Sequence, residues 1–453
     1  MVVSRIVRLH SICQAALHAS HFASMLALTM ATNMVLACLG LLSGVLAARI
    51  LGPVGRGELA AIQTWPTLFA SLAMLGIPNA LVYFTAREPE QAGRWLVTAT
   101  DITIIACIPF ATIGYWLMPW LLSAQRPEIV QAAQIYLLLL PLFTAIGMPQ
   151  HPLRGRNDLL AWNLVRVLPN LVWVCILLLH ILWHTSDPIT LSQHYLCVLA
   201  LLIAPVGLVV ARRLPGIFRP SATMIKPLLR YGFPSVLSTL PTILNLRLDQ
   251  MVMVGLLGPQ ILGLYVVGVA WSNAVAPLLT AVGAVLLPRV AGAQPEQQLT
   301  FLAQGTRLGM ILSMLLTSAT IIATPWIIPL LFGSAFVAAV PATMILCIAA
   351  GIAAYNQILT SGLLSLGKPV YVLIAQSAGL VVTMGLLLLL LPHWHLIGAA
   401  LASLGSYLVI SILLLLLVKK QTDLPIRMLI LPTDADCNLV LNRWRSLRNA
   451  LQK

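Results

Sequence analysis

Charge is what this sequence has least of. Only 8% of its 453 residues are Asp, Glu, Lys or Arg, against about a quarter in a soluble domain. That shortage excludes a water-soluble enzyme, because too little polar surface is left to coat a globule of this size. Acid is scarcer still, with 12 Asp and Glu against 26 Lys and Arg and a net charge of +14. No HExxH, GxSxG, phosphate-cradling glycine loop or dinucleotide fingerprint occurs, so neither catalysis nor a cofactor is expected. The seven cysteines form no CxxC or zinc spacing, and most lie in apolar runs. They read as small hydrophobes rather than disulfides or metal ligands. His180, His184 and His194 read as interfacial histidines.

What is abundant is apolar length. The chain is 60% hydrophobic, with a mean hydropathy of +0.96. Runs long enough to cross a bilayer recur from end to end. Twelve spans are expected, at 22–48, 58–84, 95–122, 129–149, 162–183, 189–211, 231–257, 261–288, 304–333, 336–365, 369–391 and 395–418. Helices satisfy their own backbone in lipid, and no alternating pattern of a barrel is present. The expected fold is an all-α polytopic membrane protein. Arg5 and Arg8 precede the first run, but it is too long for a cleaved signal and reads as a retained helix.

The basic residues then orient the spans. With both ends cytoplasmic, only Arg49, Arg56 and Arg126 fall outside, Arg166 and Arg247 fall within spans, and the other 21 of 26 fall inside the cell. This bias follows the positive-inside rule. It also removes nucleic acid as a partner, since the cations form no patch with interleaved aromatics. The longest internal polar segment, 212–230, holds three prolines and five cations. It reads as a cytoplasmic linker between six-helix halves at 1–211 and 231–418. The basic tail, 419–453, places Val440, Trp444, Leu447 and Leu451 at helical spacing, which fits an interfacial helix or a solvated tail.

A shift of 206 residues aligns the halves without a gap. Leu51-Gly52-Pro53 falls on Leu257-Gly258-Pro259, Gly57 on Gly263, Trp65 on Trp271, and Pro89-Glu90-Gln91 on Pro295-Glu296-Gln297. Eleven of 41 columns are identical. Both copies cover an outer loop, a span and an inner loop, so the halves run parallel. Parallel repeats relate through an axis along the membrane normal, with substrate bound between them. That favours alternating access over a fixed pore. Without a nucleotide site, the driving force must be an ion gradient, the membrane potential or the substrate gradient.

Ionisable residues within spans are costly and are functional candidates. Asp101 and Arg166 are shallow, and snorkelling competes with function for both. The stretch Asn245-Leu246-Arg247-Leu248-Asp249-Gln250 is denser. Arg247 stands about 24 Å into its span at 1.5 Å per residue. Arg247 and Asp249 point to opposite sides of a helix, whereas Asn245 and Asp249 share one. One face is expected to line a cavity and the other to bond a neighbour. A purely structural Arg or Asp that locks helix packing stays open as the alternative. Pro241 is placed to bend this helix. The cation excess suits a phosphate or pyrophosphate, which guanidinium grips bidentately.

Two segments carry a resemblance. ILGPVGRGELAAIQTWPTLFASLAMLGIPNALVYFTARE at 50–88 and NLRLDQMVMVGLLGPQILGLYVVGVAWSNAVAPLLTAVGAVLLPR at 245–289 resemble the two lobe signatures of bacterial polysaccharide-biosynthesis flippases. These belong to the multidrug/oligosaccharidyl-lipid/polysaccharide exporter superfamily. The resemblance implies two six-helix lobes around a central cavity. It implies a flippase that moves an undecaprenyl-pyrophosphate-type lipid-linked oligosaccharide from the inner to the outer leaflet of the bacterial inner membrane. Arg247, Asp249, Asn245 and Arg166 would then contact substrate, and Asp101 and Asp249 would be the coupling carboxylates for H+ or Na+. Membrane lipids and a polysaccharide polymerase are the expected partners. Arg49, Arg56 and Glu58 match the first-lobe motif at an external turn. An ion-coupled multidrug exporter of the same superfamily is the alternative.

Overall fold

The computed structural model describes residues 2–276, 279, 286, 290, 292, 294–422 and 425–430. Among them there is no strand. Helices α1 (Val2–Ala73), α2 (Ile77–Arg87), α3 (Ala92–Leu121), α4 (Pro127–Leu138), α5 (Leu140–Gly147), α6 (Gln150–Gly155), α7 (Leu159–Leu182) and α8 (Pro188–Arg213) come first. Then follow α9 (Ala222–Asn245), α10 (Leu248–Leu256), α11 (Pro259–Ser272), α12 (Pro295–Ile327), α13 (Val340–Ser365), α14 (Pro369–Thr422) and α15 (Ile426–Ile430).

Seven helices among the described residues are long and apolar enough to cross a membrane, or eight with α4 and α5–α6 taken as one span bent by 43°. The expected spans and these helices differ in where the chain breaks. The apolar part of α1, Ala27–Ala73, has 47 residues and would run about 70 Å if straight, over twice a bilayer core. It is divided at Gly52, whose φ of 64° and ψ of −176° are not helical. A glycine takes that backbone without strain, and Pro53 behind it cannot continue the hydrogen-bond ladder. The 54 residues of α14 are divided the same way at His395, with φ 44° and ψ −114°. The expected span 231–257 is instead two pieces, α9 and α10, parted at Leu246-Arg247.

Two segments placed between or after the expected halves carry helix. Within 212–230, α9 begins at Ala222 on an extended Ser221. The non-helical connection, 214–221, is strapped to α3 by Gly93 N–H to Pro215 O at 3.0 Å and Ser221 N–H to Thr98 Oγ1 at 3.0 Å. The start of the tail is docked. Met428 O accepts from Arg307 Nη1 at 2.9 Å, and Leu429 is fully buried. The expected helix through Val440 and Leu451 lies outside the described residues, as do most of the span 261–288 beyond Ala276 and Arg289.

The repeated motif packs against itself. A Cβ on Gly57 would overlap the Pro259 carbonyl, and one on Gly263 would overlap the Pro53 carbonyl. Small residues four apart allow this close crossing, which is what drives helix association when lipid competes for apolar surface. Segments that flank the seam repeat the pattern. Ser123 Oγ donates to Gly255 O at 3.0 Å, and Gln125 Nε2 to Val254 O at 3.0 Å. Arg49 Nε donates to Leu331 O at 2.6 Å. The 206-residue shift carries Ser123–Gln125 onto 329–331 and Arg49 onto Gly255. Each contact thus has its reciprocal, as at a twofold interface.

Candidate substrate cavity

A cavity of about 570 Å³ lies along α1 beyond this seam. The C-terminal part of α1 supplies Gln63, Thr67, Ala70 and Ser71, the turn after it Met74, and α4 and α5 supply Tyr136 and Phe143. Pro169, Asn170 and Trp173 come from α7, Tyr195 from α8, and Arg247 from the α9–α10 break. Gln63, Thr67 and Ser71 stand four apart, so they form one polar stripe along an otherwise apolar helix. No carboxylate is among the lining residues.

The break in helix α9–α10 has a local cause and a distant one. Locally, the last turn of α9 tightens, with Arg247 N–H bonding to Leu244 O at 3.0 Å, and Arg247 leaves the helical φ/ψ region. The distant cause is a clamp on either side of Arg247. Asn245 Nδ2 donates to Gln376 O at 2.8 Å and to Gln376 Oε1 at 3.2 Å. Asp249 Oδ2 accepts from the Tyr265 hydroxyl at 2.5 Å and from Ser403 Oγ at 3.3 Å, and its Oδ1 accepts from Gln250 N–H at 2.7 Å. Thr383 Oγ1 donates to Ser406 Oγ at 2.6 Å beside them. Asn245 and Asp249 are both buried and tied to α11 and α14. Arg247, at φ −133° and ψ −13°, is exposed to the cavity. Among the described residues its guanidinium has no hydrogen-bond or ion-pair partner, and Asp249 makes no ion pair.

The other candidates lie elsewhere. Arg166 Nη2 donates to Asn33 Oδ1 at 2.9 Å, and its guanidinium sits 4.4 Å above the Trp162 ring. It fastens α7 to α1 one turn from Asn170, outside the cavity lining. Asp101 is half-buried on α3, and its carboxylate has no hydrogen bond or ion pair among the described residues. Near the Gly52 break Glu58 is buried and accepts from Arg126 Nη2 at 2.6 Å, which ties the start of one span to the start of another. Arg49 holds the carbonyls that end the π-helical turn Ile328–Phe332.

Sequence reasoning missed the cavity wall. Trp173, Tyr195, Tyr136 and Phe143 each look like ordinary core aromatics in an apolar run. The stripe Gln63, Thr67, Ser71 was the available signal, because three polar side chains at i, i+4 and i+8 in one span need a common polar neighbour. Tyr265, Gln376 and Ser403 carry no signal of their own, since only the fold brings them to Asn245 and Asp249.

The architecture is that of solved membrane transporters. It is similar to the lipid II flippase MurJ in an inward closed conformation, at 12% identity and a TM-score of 0.75 over 89% of each chain. It is similar to an inward-facing multidrug resistance MATE family transporter of the MOP superfamily, at 17% identity and a TM-score of 0.65 over 86% of this chain and 94% of that one. A MOP superfamily transporter from Pyrococcus furiosus matches at 17% identity and a TM-score of 0.55 over 88% and 95%. The chain is a multi-pass, all-helical membrane protein with the MOP-superfamily fold. It belongs to the polysaccharide biosynthesis protein family, whose profile matches residues 23–294. Comparison with curated protein sequences returns no match.

Proposed function

We propose that the protein is a flippase for an undecaprenyl-pyrophosphate-type lipid-linked oligosaccharide, which it moves from the inner to the outer leaflet of the bacterial inner membrane. The observation that carries this reading is Arg247, an exposed guanidinium with no hydrogen bond or ion pair among the described residues, held out into a cavity lined by no carboxylate. A fixed cation in a low-dielectric setting favours an anion strongly, and the guanidinium fork matches phosphate oxygens. The family supports a glycan as the cargo.

The halves 1–211 and 231–418, joined through 212–230, act as two six-helix lobes of a twelve-helix protein with both ends cytoplasmic. The reciprocal glycine seam gives them a pivot. Arg247 sits on the second lobe while the rest of the cavity wall belongs to the first, so an anion held by Arg247 is in contact with both. Asn245 and Asp249 position Arg247 through their bonds to α11 and α14. Asp249 is also the coupling carboxylate, taking H+ or Na+, because it is a buried acid beside a helix break. Arg166 supports the cavity wall through Asn170, and Asp101 is a second site for a coupling ion. A multidrug exporter needs carboxylates facing a cationic drug, and this cavity presents none.

The test is transport in vesicles that contain the full-length protein and a fluorescent lipid-linked oligosaccharide. Wild type should expose the glycan on the opposite leaflet, and Arg247→Ala should not. Equal transport by that variant overturns the role of Arg247, and absence of transport by wild type overturns the substrate.

A further inference from the structure

The two walls of the cavity differ in chemistry, and the difference assigns parts of the substrate to them. This step rests on the reading of the cargo as a lipid-linked glycan. We infer that the first-lobe wall is a sugar-stacking subsite centred on Trp173, separate in role from the anion contact at Arg247.

Four aromatic rings line the cavity. Trp173 and Tyr195 meet edge-to-face, with centroids 4.8 Å apart and planes at 71°. Tyr136 and Phe143 meet at 5.2 Å. Such pairs hold each ring at a fixed angle. Beside them runs the polar stripe, and its hydroxyl protons are already committed. Thr67 Oγ1 donates to Gln63 O at 2.6 Å, and Ser71 Oγ donates to Thr67 O at 2.9 Å. Their remaining lone pairs accept hydrogen bonds. Asn170 Nδ2 gives one proton to Arg166 O at 3.4 Å, which leaves its carbonyl oxygen and a second N–H.

A ligand that suits this wall has an apolar face to lie on a ring and several hydroxyl donors at its edge. A pyranose has both. A lipid tail has no use for the hydroxyl stripe, and a cationic drug finds no carboxylate. A group with many negative charges finds one cation only. The volume, about 570 Å³, falls within the range of small-ligand sites, which fits the first sugars of a glycan next to its phosphate. Sugar identity is thus read by residues of the first lobe, and the phosphate by Arg247 of the second.

The experiment is binding to the purified full-length protein in nanodiscs. The ligands are bare undecaprenyl pyrophosphate and the same lipid carrying one or two neutral hexoses. Trp173→Ala and Asn170→Ala should each weaken the sugar-bearing lipid by roughly threefold to tenfold, the scale of one aromatic or hydrogen-bond contact. They should leave the bare lipid unchanged. Trp173→Phe should keep most of the affinity for the sugar-bearing lipid, and Arg247→Ala should weaken both ligands. Equal losses for both ligands in Trp173→Ala would show a merely structural tryptophan and overturn the subsite. So would wild type binding the two lipids equally tightly, although the lipid-pyrophosphate reading then stands. Failure of wild type to bind either lipid overturns the proposed function itself, and the subsite with it.

Discussion

Gly57 and Gly263 face each other across the seam between the two copies of the repeat. Each has the other's backbone nitrogen 3.0 Å from the point where its own Cβ would stand. The carbonyls of Pro259 and Pro53 fill the same two points. A methyl group therefore has nowhere to go without moving a helix backbone. Gly57→Ala and Gly263→Ala should each destabilise the protein by about 1–3 kcal/mol, the usual cost of overpacking. The double variant should fall short of the sum, because either methyl already parts the same two helices. Thermal unfolding in detergent reads this out. Unchanged melting temperatures would mean that the seam tolerates separation and is not a pivot.

Arg247 makes a second prediction. Its guanidinium is exposed at the cavity with no hydrogen bond or ion pair among the described residues, so its removal costs little folding energy. Arg247→Ala should reach the membrane at wild-type levels and lose binding of a lipid pyrophosphate by roughly tenfold to a hundredfold, as expected for a hydrogen bond to a charged group. Arg247→Lys should recover part of it, since a point charge replaces a fork. Quantitative binding beside membrane abundance separates this from misfolding.

Much of this was legible from the chain. The apolar runs and the spacing of cations define a multi-pass helical protein, because lipid leaves the backbone few options. The Gly-Pro repeat was visible too, but not that the copies touch each other. The pairing of Arg49 with Leu331 and Gln125 with Val254 needs residues more than 120 positions apart. The same limit hid the break at Leu246-Arg247. It depends on Gln376 and Ser403, whose side chains look ordinary where they stand. The repeat is also uneven in ways its identities conceal. Trp271 donates to Thr324 Oγ1 at 3.0 Å, while the Nε1 of its counterpart Trp65 is buried with no partner among the described residues. Matching letters gave equal positions but not equal surroundings.

Asp187 supplies a prediction about acid. It caps α8 from outside the span, accepting from Thr190 Oγ1 at 2.6 Å, Thr190 N–H at 2.8 Å and Ile189 N–H at 3.4 Å. What burial it has pushes its carboxyl up, but these hydrogen bonds, helped by Arg126, outweigh that and hold it below the usual carboxylate range. A depressed folded-state value gives stability above the unfolded value and loses it as the pH falls through the folded one. Asp187→Ala should therefore cost about 0.5–2 kcal/mol at neutral pH, as for other lost N-caps. The gap between wild type and variant should close as the pH is lowered below the ordinary carboxylate range. A gap that stays constant from neutral to strongly acidic buffer would show that the charge on Asp187 contributes nothing.

Asp249 allows its two proposed roles to be separated. As a positioning group it accepts hydrogen bonds from Tyr265, Ser403 and Gln250 N–H. As a coupling group it must gain and lose an ion. Asp249→Asn keeps the shape and at least one acceptor oxygen, but it cannot ionise. It should fold, retain binding of the lipid-linked substrate within a few-fold, and flip it at a rate that no longer responds to an imposed proton or sodium gradient. Asp249→Ala removes the acceptors as well, so Arg247 loses one side of its clamp and substrate binding should fall along with the gradient response. The measurement is flipping in vesicles with and without each gradient, together with binding at equilibrium. If Asp249→Asn keeps the full gradient response and only its melting temperature drops, the carboxylate is a structural peg. Coupling would then have to reside at another acid, with Asp101 the first to replace.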